Sequence, residues 1–196
     1  MNEWPDSWEV GIGLSEPIKL PLVRSDDGFG IYALDMMGQH DWNEAAASAL
    51  YEKLGPYDFD IILTAEAKAI GLAQELSQRF GHSEYIVLRK SHKLYMPSPV
   101  SVQVQSITTT APQTFFLGQD KIAKLAGLKA CVLDDVLSTG GTMTAMLQMA
   151  KIANCLPVVI AVVLTEDTDW DEFAGLPVVK LDYIPLPGTQ SQVLSR

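Results

Sequence analysis

The stretch Cys131-Val132-Leu133-Asp134-Asp135-Val136-Leu137-Ser138-Thr139-Gly140-Gly141-Thr142 decides how the rest of the chain is read. A short apolar run, the mark of a strand buried on both faces, ends on two adjacent carboxylates. A turn rich in hydroxyls and glycine follows, and a helix is expected from about Thr142 to Ile152. A helix start leaves backbone N–H groups without partners, and they point at whatever lies ahead of them. Glycine at 140 and 141 lets a ligand approach the backbone closely. Ser138, Thr139 and Thr142 add hydroxyl donors, while Asp134 and Asp135 accept from sugar hydroxyls. A sugar phosphate satisfies both halves of this stretch at once.

Two commoner readings fit less well. A nucleotide-binding P-loop needs a lysine before the closing Ser or Thr, and Gly141 stands there. The dinucleotide fingerprint G-x-G-x-x-G is missing from this stretch, and Gly11-Ile12-Gly13 alone is a weak signal.

Outward from this point, strands and helices alternate. Residues 17–23 and 28–34 read as strands. Asp41-Trp42-Asn43-Glu44 has the form of a capping box, with Asp41 as N-cap. A helix over 42–53 follows and ends near Gly55-Pro56. Asp60-Ile61-Ile62-Leu63-Thr64 is a second buried strand, followed by a helix over 67–80 with Gly81 as its C-terminal stop. Residues 85–88 make the next strand. The polar segment 91–113 is too long for an ordinary connection, so it is functional or disordered. Strands at 130–133, 158–164 and 178–184 complete the pattern, and the tail from 187 to 196 reads as loose. Alternating helices and continuously apolar strands mean a mostly parallel sheet flanked by helices. Ligands of such sheets bind at the carboxyl ends of the strands. Attention therefore falls on the residues after Leu63, Leu88 and Leu133.

Composition narrows the classes. The 196 residues are 47% hydrophobic, enough for one core without disulfides. Lys and Arg number 14 against 24 Asp and Glu, for a formal net charge of -10. Such a balance argues against nucleic acid or an anionic membrane as partner. No run of 18 apolar residues suggests a span and no basic, apolar leader is visible, so a cytoplasmic protein is expected. Cys131 and Cys155 lie far apart in apolar contexts and read as buried free thiols. His40, His82 and His92 share no metal-ligand spacing.

The stretch 131–142 resembles the motif that binds 5-phosphoribosyl-1-pyrophosphate (PRPP) in type I phosphoribosyltransferases. The family has an apolar strand, two acidic residues and a Ser/Thr/Gly-rich loop closing in Thr or Ser. The resemblance implies that Asp134 and Asp135 hold the ribose 2- and 3-hydroxyls, and that Ser138, Thr139, Gly140, Gly141 and Thr142 cradle the 5-phosphate. Thr64-Ala65-Glu66-Ala67-Lys68 is similar to the pyrophosphate loop of the adenine and xanthine branch. That places Glu66, Ala67 and Lys68 at PRPP and implies a strained backbone there. Arg89-Lys90-Ser91-His92-Lys93 is similar to that branch's Arg-Lys-x-x-Lys, with Arg89, Lys90 and Lys93 facing the pyrophosphate. Residues 101–107 resemble the family's flexible catalytic hairpin, although Gln103, Gln105 and Thr108 to Thr110 depart from the adenine pattern. In hypoxanthine–guanine enzymes an aspartate stands where this chain has Ser138.

What the resemblance implies is a single domain over 1–196 with the type I phosphoribosyltransferase fold. An N-terminal arm or hood would cover about 1–40 and a PRPP-binding core about 58–186. The reaction would join PRPP to a nucleobase, a purine before others: adenine first, xanthine next, and the pyrimidine orotate third. Magnesium (Mg2+) would ride on PRPP with no protein ligands of its own, and a homodimer would be usual. A PRPP-sensing regulator without catalysis is the alternative from another class.

Overall fold

In this computed structural model residues 4–24, 30–96, 98–104 and 112–187 are described. Three strands, β1 (Ser7–Val10), β2 (Ile18–Arg24) and β3 (Gly30–Tyr32), form an antiparallel sheet. This sheet occupies the N-terminal stretch where an arm or hood was expected. The core sheet holds β4 (Ile61–Ala65), β5 (Ile86–Leu88), β8 (Lys129–Leu137), β9 (Leu156–Glu166), β10 (Glu172–Phe173) and β11 (Leu176–Ile184). Its order is β10-β11-β9-β8-β4-β5, parallel throughout except for β10 at one edge. Four helices join them: α1 (His40–Leu54), α2 (Ile70–Arg79), α3 (Gln119–Leu125) and α4 (Gly141–Ile152).

Period-2 alternation along the central strands divides the interior into two layers. Leu63, Val132 and Ile160 face α3 and α4, while Ile62, Leu133 and Ala161 face α1, α2 and the hood. Every residue of β4 is buried, which is why its sequence shows no polar alternation. Cys131 and Cys155 are buried free thiols, as expected. Burial alone pushes the Cys131 thiol far up, and Cys155 rises to about 11. No described helix is long and apolar enough to cross a membrane.

The structure corrects several element boundaries. Asp41 is not an N-cap: α1 starts at His40 and its N-cap, Gln39, makes no side-chain capping bond. Asn43 anchors the start of the helix to the preceding loop, donating to the carbonyls of Met36 (2.8 Å) and Gln39 (2.7 Å). Glu44 faces Arg79 of α2 at 3.5 Å rather than turning back. Helix α2 begins at Ile70, so residues 67–69 belong to the loop that precedes it. Its end is as read: Gly81 has φ +73°, Gly81 N–H donates to Gln78 O and His82 N–H to Ser77 O. The two bonds close a Schellman turn.

The polar segment 91–113 contains regular structure. Val100–Val104 is a strand, β6, paired antiparallel with β7 (Gln113–Leu117). These are two arms at the place expected for a hairpin; residues 105–107 of that expectation, Thr108 to Thr110, and the tail beyond 187 lie outside the described residues. Strand β7 and helix α3 escaped the sequence reading. Phe115 and Leu117 are buried on alternate positions, but five residues are too few for that period to stand out.

His82 packs between aromatic rings, 5.5 Å from Phe59 and 5.9 Å from Phe80 between centroids. Burial lowers its pKa, against the opposing charge of Asp60. A lowered histidine pKa means that the unfolded chain takes up the proton first. Stability contributed by neutral His82 is therefore complete above its ordinary value of 6.5 and is lost as pH falls below it. The melting temperature should fall as pH drops below 6.5, and His82→Phe should flatten that slope in calorimetric scans.

Candidate active site

Five strand ends and the hood converge on one cavity of about 320 Å³. Strand β4 delivers Glu66, Ala67 and Lys68, β5 delivers Lys90, and β8 delivers Asp134, Asp135, Ser138 and Thr142. The hood closes it with Ile31, Tyr32, Ala33 and Leu34, and Glu166 and Ile184 come from the ends of β9 and β11.

The two carboxylates lie inside β8 rather than beyond it, because the strand runs on to Leu137. Asp134 is hydrogen-bonded to its neighbour: the Asp135 N–H donates to Asp134 Oδ1 at 3.0 Å. Burial, then the charge of Asp135, pushes the Asp134 carboxyl well above the usual carboxylate range. Lys68 answers the pair. Its ammonium stands 3.4 Å from Asp135 Oδ2 and donates to the Leu34 carbonyl at 2.8 Å. One side chain thus ties the β4 loop to β8 and to the hood.

The β4 loop is joined to β5 through Glu66. Its carboxylate accepts the Lys90 N–H at 2.6 Å and pairs with Arg89 Nε. The Glu66–Ala67 peptide bond is cis, at the loop where the resemblance implied an unusual backbone. Arg89 also donates to Tyr95 Oη at 2.9 Å. Its side chain lines a separate cleft of about 210 Å³ with Tyr85, Val87 and Met96. So of the three expected cations, Lys90 reaches the cavity, Arg89 is turned to Glu66, and Lys93 lines neither space.

The turn after β8 forms a smaller cradle of about 100 Å³, lined by Ser138, Thr139, Gly140, Gly141 and Thr142. Gly140 is the N-cap of α4 in a left-handed conformation (φ 81°, ψ 7°), with no side-chain capping bond. The first N–H groups of α4 are thereby left for a ligand. Glycine is required here for a second reason: a Cβ at 140 would run into the Phe173 ring.

Glu166 and the hood residues 31–34 were missed from sequence. Glu166 carried a signal: it follows an apolar run at the carboxyl end of a parallel strand. It is 9% exposed, hydrogen-bonded to Ser138, and its pKa is raised by burial. The hood residues carried none, since β3 is only three residues long.

Residues 39–178 match the family model described as the phosphoribosyl transferase domain. The chain belongs to that family. Among its relatives is an adenine phosphoribosyltransferase of Thermosipho africanus, 30% identical over 78% of this chain and 77% of the relative. A hypoxanthine/guanine phosphoribosyltransferase of Methanothermus fervidus is 31% identical over 59% of this chain and 57% of its own length. Against the relatives first in similarity, the chain spans roughly half to three fifths of their length: 57%, 48% and 60%. A crystal structure of adenine phosphoribosyltransferase from Thermoanaerobacter pseudethanolicus superposes with a TM-score of 0.71. It is 19% identical, covering 84% of this chain and 95% of the other. The phosphoribosyltransferase fold expected from sequence is therefore correct. No cluster of three His, Cys, Asp or Glu suited to a metal occurs among the described residues.

Gly140→Ala should destabilise this phosphoribosyltransferase domain by about 1–3 kcal/mol, the cost of a strained φ, plus the clash with Phe173. Thermal denaturation of Gly140→Ala and of Gly140→Ala with Phe173→Leu separates the two contributions. Partial recovery in the double variant is expected.

Proposed function

We propose that the chain is an enzyme that transfers the 5-phosphoribosyl group from PRPP to a purine base, adenine first and xanthine next. The observation that carries this is the convergence on one cavity of Asp134 and Asp135, the phosphate cradle 138–142, the 66–68 loop and Lys90. Each fits one part of PRPP. The N–H groups at the start of α4 and the hydroxyls of Ser138, Thr139 and Thr142 receive the 5-phosphate, where the helix dipole favours negative charge. Asp134 and Asp135 accept from the ribose hydroxyls. Ala67, Lys68 and Lys90 lie toward the pyrophosphate, and Glu66 holds the Lys90 backbone in position.

In the reaction the bond from the sugar C1 to the pyrophosphate oxygen breaks, its electron pair leaving on the pyrophosphate, and a ring nitrogen of the base bonds to C1 as its N–H proton passes to the pyrophosphate or to water. Charge builds on the departing pyrophosphate, so a fixed cation at Lys90 stabilises the transition state more than the ground state. Arg89 contributes by keeping Glu66 in place. Magnesium enters as part of the substrate, bound to PRPP oxygens, in keeping with its habit of retaining water and phosphate ligands. The relative from Thermosipho africanus and the fold match with an adenine enzyme support adenine as the acceptor. No observation favours the regulator.

PRPP with magnesium should raise the melting temperature. Ligand at a hundred times its dissociation constant adds about 2.7 kcal/mol. Asp134→Asn with Asp135→Asn should abolish the shift without lowering the melting temperature of the free protein, since burial and mutual repulsion already oppose these charges. A full shift in the double variant would put the ribose elsewhere.

Lys90→Ala should lower turnover by about a hundred- to a thousandfold, the range for losing one preorganised charge contact (about 2.7–4 kcal/mol). Affinity for the monophosphate product, which lacks pyrophosphate, should change little. Steady-state kinetics beside product binding reads both, and near-normal turnover would make Lys90 a solvated surface charge.

A further inference from the structure

We infer that Glu166 selects the acceptor base, holding one that presents an amino group and turning away one that presents a carbonyl. The inference rests on the phosphoribosyl-transfer reading above and names a residue to which that reading gives no role.

The strand order separates the two ends of the cavity. In the core sheet β8 lies between β4 and β9. Ala67, Lys68 and Lys90 stand on the β4–β5 side, where the pyrophosphate is assigned. The incoming nitrogen has to approach the sugar carbon from the side away from the departing group, since both cannot occupy one face. That leaves the β9–β11 side, under the hood. The cavity wall there is made by Ile31, Tyr32, Ala33, Leu34, Ile184 and Glu166.

Glu166 is the carboxyl-bearing side chain of that wall. The wall is otherwise apolar apart from Tyr32, whose hydroxyl is engaged with the Pro5 carbonyl at 3.0 Å. Ser138 supplies one hydrogen bond to the Glu166 carboxyl. A carboxylate has acceptor room for about four, so the rest of its capacity is open to a ligand. In a nearly buried place, a ligand N–H satisfies it, and a ligand carbonyl sets lone pairs against lone pairs. Leaving a buried acceptor unpaired costs enough to discriminate. At position 6 adenine carries an exocyclic amine where hypoxanthine carries a carbonyl; at the adjacent ring nitrogen the order reverses, a bare acceptor in adenine against an N–H in hypoxanthine, so the assignment sets the 6-substituent against Glu166.

The test compares dissociation constants of adenosine and inosine 5′-monophosphate for the full chain by calorimetry, in the wild type and in Glu166→Gln. The wild type should favour the adenosine nucleotide by roughly ten- to a hundredfold, the range for one buried polar group left unpaired. Glutamine keeps the shape but can both donate and accept, so the preference should shrink to within about threefold. A wild type without preference, or a preference unchanged in Glu166→Gln, overturns the assignment. Glu166→Asp is a second arm: it keeps the carboxyl and should keep the adenosine nucleotide ahead, so reversal there also overturns it. PRPP binding to the wild type is measured alongside. If PRPP binds but base preference fails to follow residue 166, only this inference falls; if PRPP itself does not bind, the underlying reading falls as well.

Discussion

Asp134 and Asp135 repel one another on neighbouring positions of β8, in a place where water screens them poorly. Burial first, and then the neighbouring charge of Asp135, push the Asp134 carboxyl well above the usual carboxylate range. The arrangement persists because Lys68 stands 3.4 Å from Asp135. Lys68 can stand there because the loop after β4 turns it toward β8, while the Leu34 carbonyl fixes its ammonium from the other side. The acidic pair thus governs the relation of three separated segments: the β8 end, the β4 loop and the hood.

A second tie is built on the opposite sign. Glu66 sits among Arg89, the Lys90 N–H and the β4 loop, and it binds the first two. The consequence is a division of labour among cations that are adjacent in sequence. Arg89 neutralises Glu66 and leaves the cavity wall, and Lys90 remains to face the ligand.

The β8 half of the candidate site was legible in the sequence because its parts are local. Asp134 through Thr142 occupy nine consecutive positions, and strand, turn and helix start can each be read from residue types alone. Glu66 to Lys68 and Arg89 to Lys90 were legible for the same reason, as short segments after buried strands. Errors came where a residue's partner lay elsewhere in the chain. The capping box at Asp41 failed because α1 already starts at His40, which puts Asp41 inside the helix, and because Glu44 faces an arginine on another helix. Strand β7 was missed because its pairing with β6 spans a segment that reads as polar.

By itself, then, the sequence determined the parallel α/β architecture, the order of its strands along the chain, and the chemistry offered at three strand ends. Periodicity and turn residues act over a few positions, and those positions are contiguous. Only the tertiary structure decided which of these groups share a cavity. It took Arg89 and Lys93 out of the wall, brought the hood residues 31–34 over the β8 carboxylates, and added Glu166 from β9. The reason is that a cavity wall is set by strand order and by the direction of each side chain across the sheet. Both arise from pairings between residues tens of positions apart, and no local pattern encodes them.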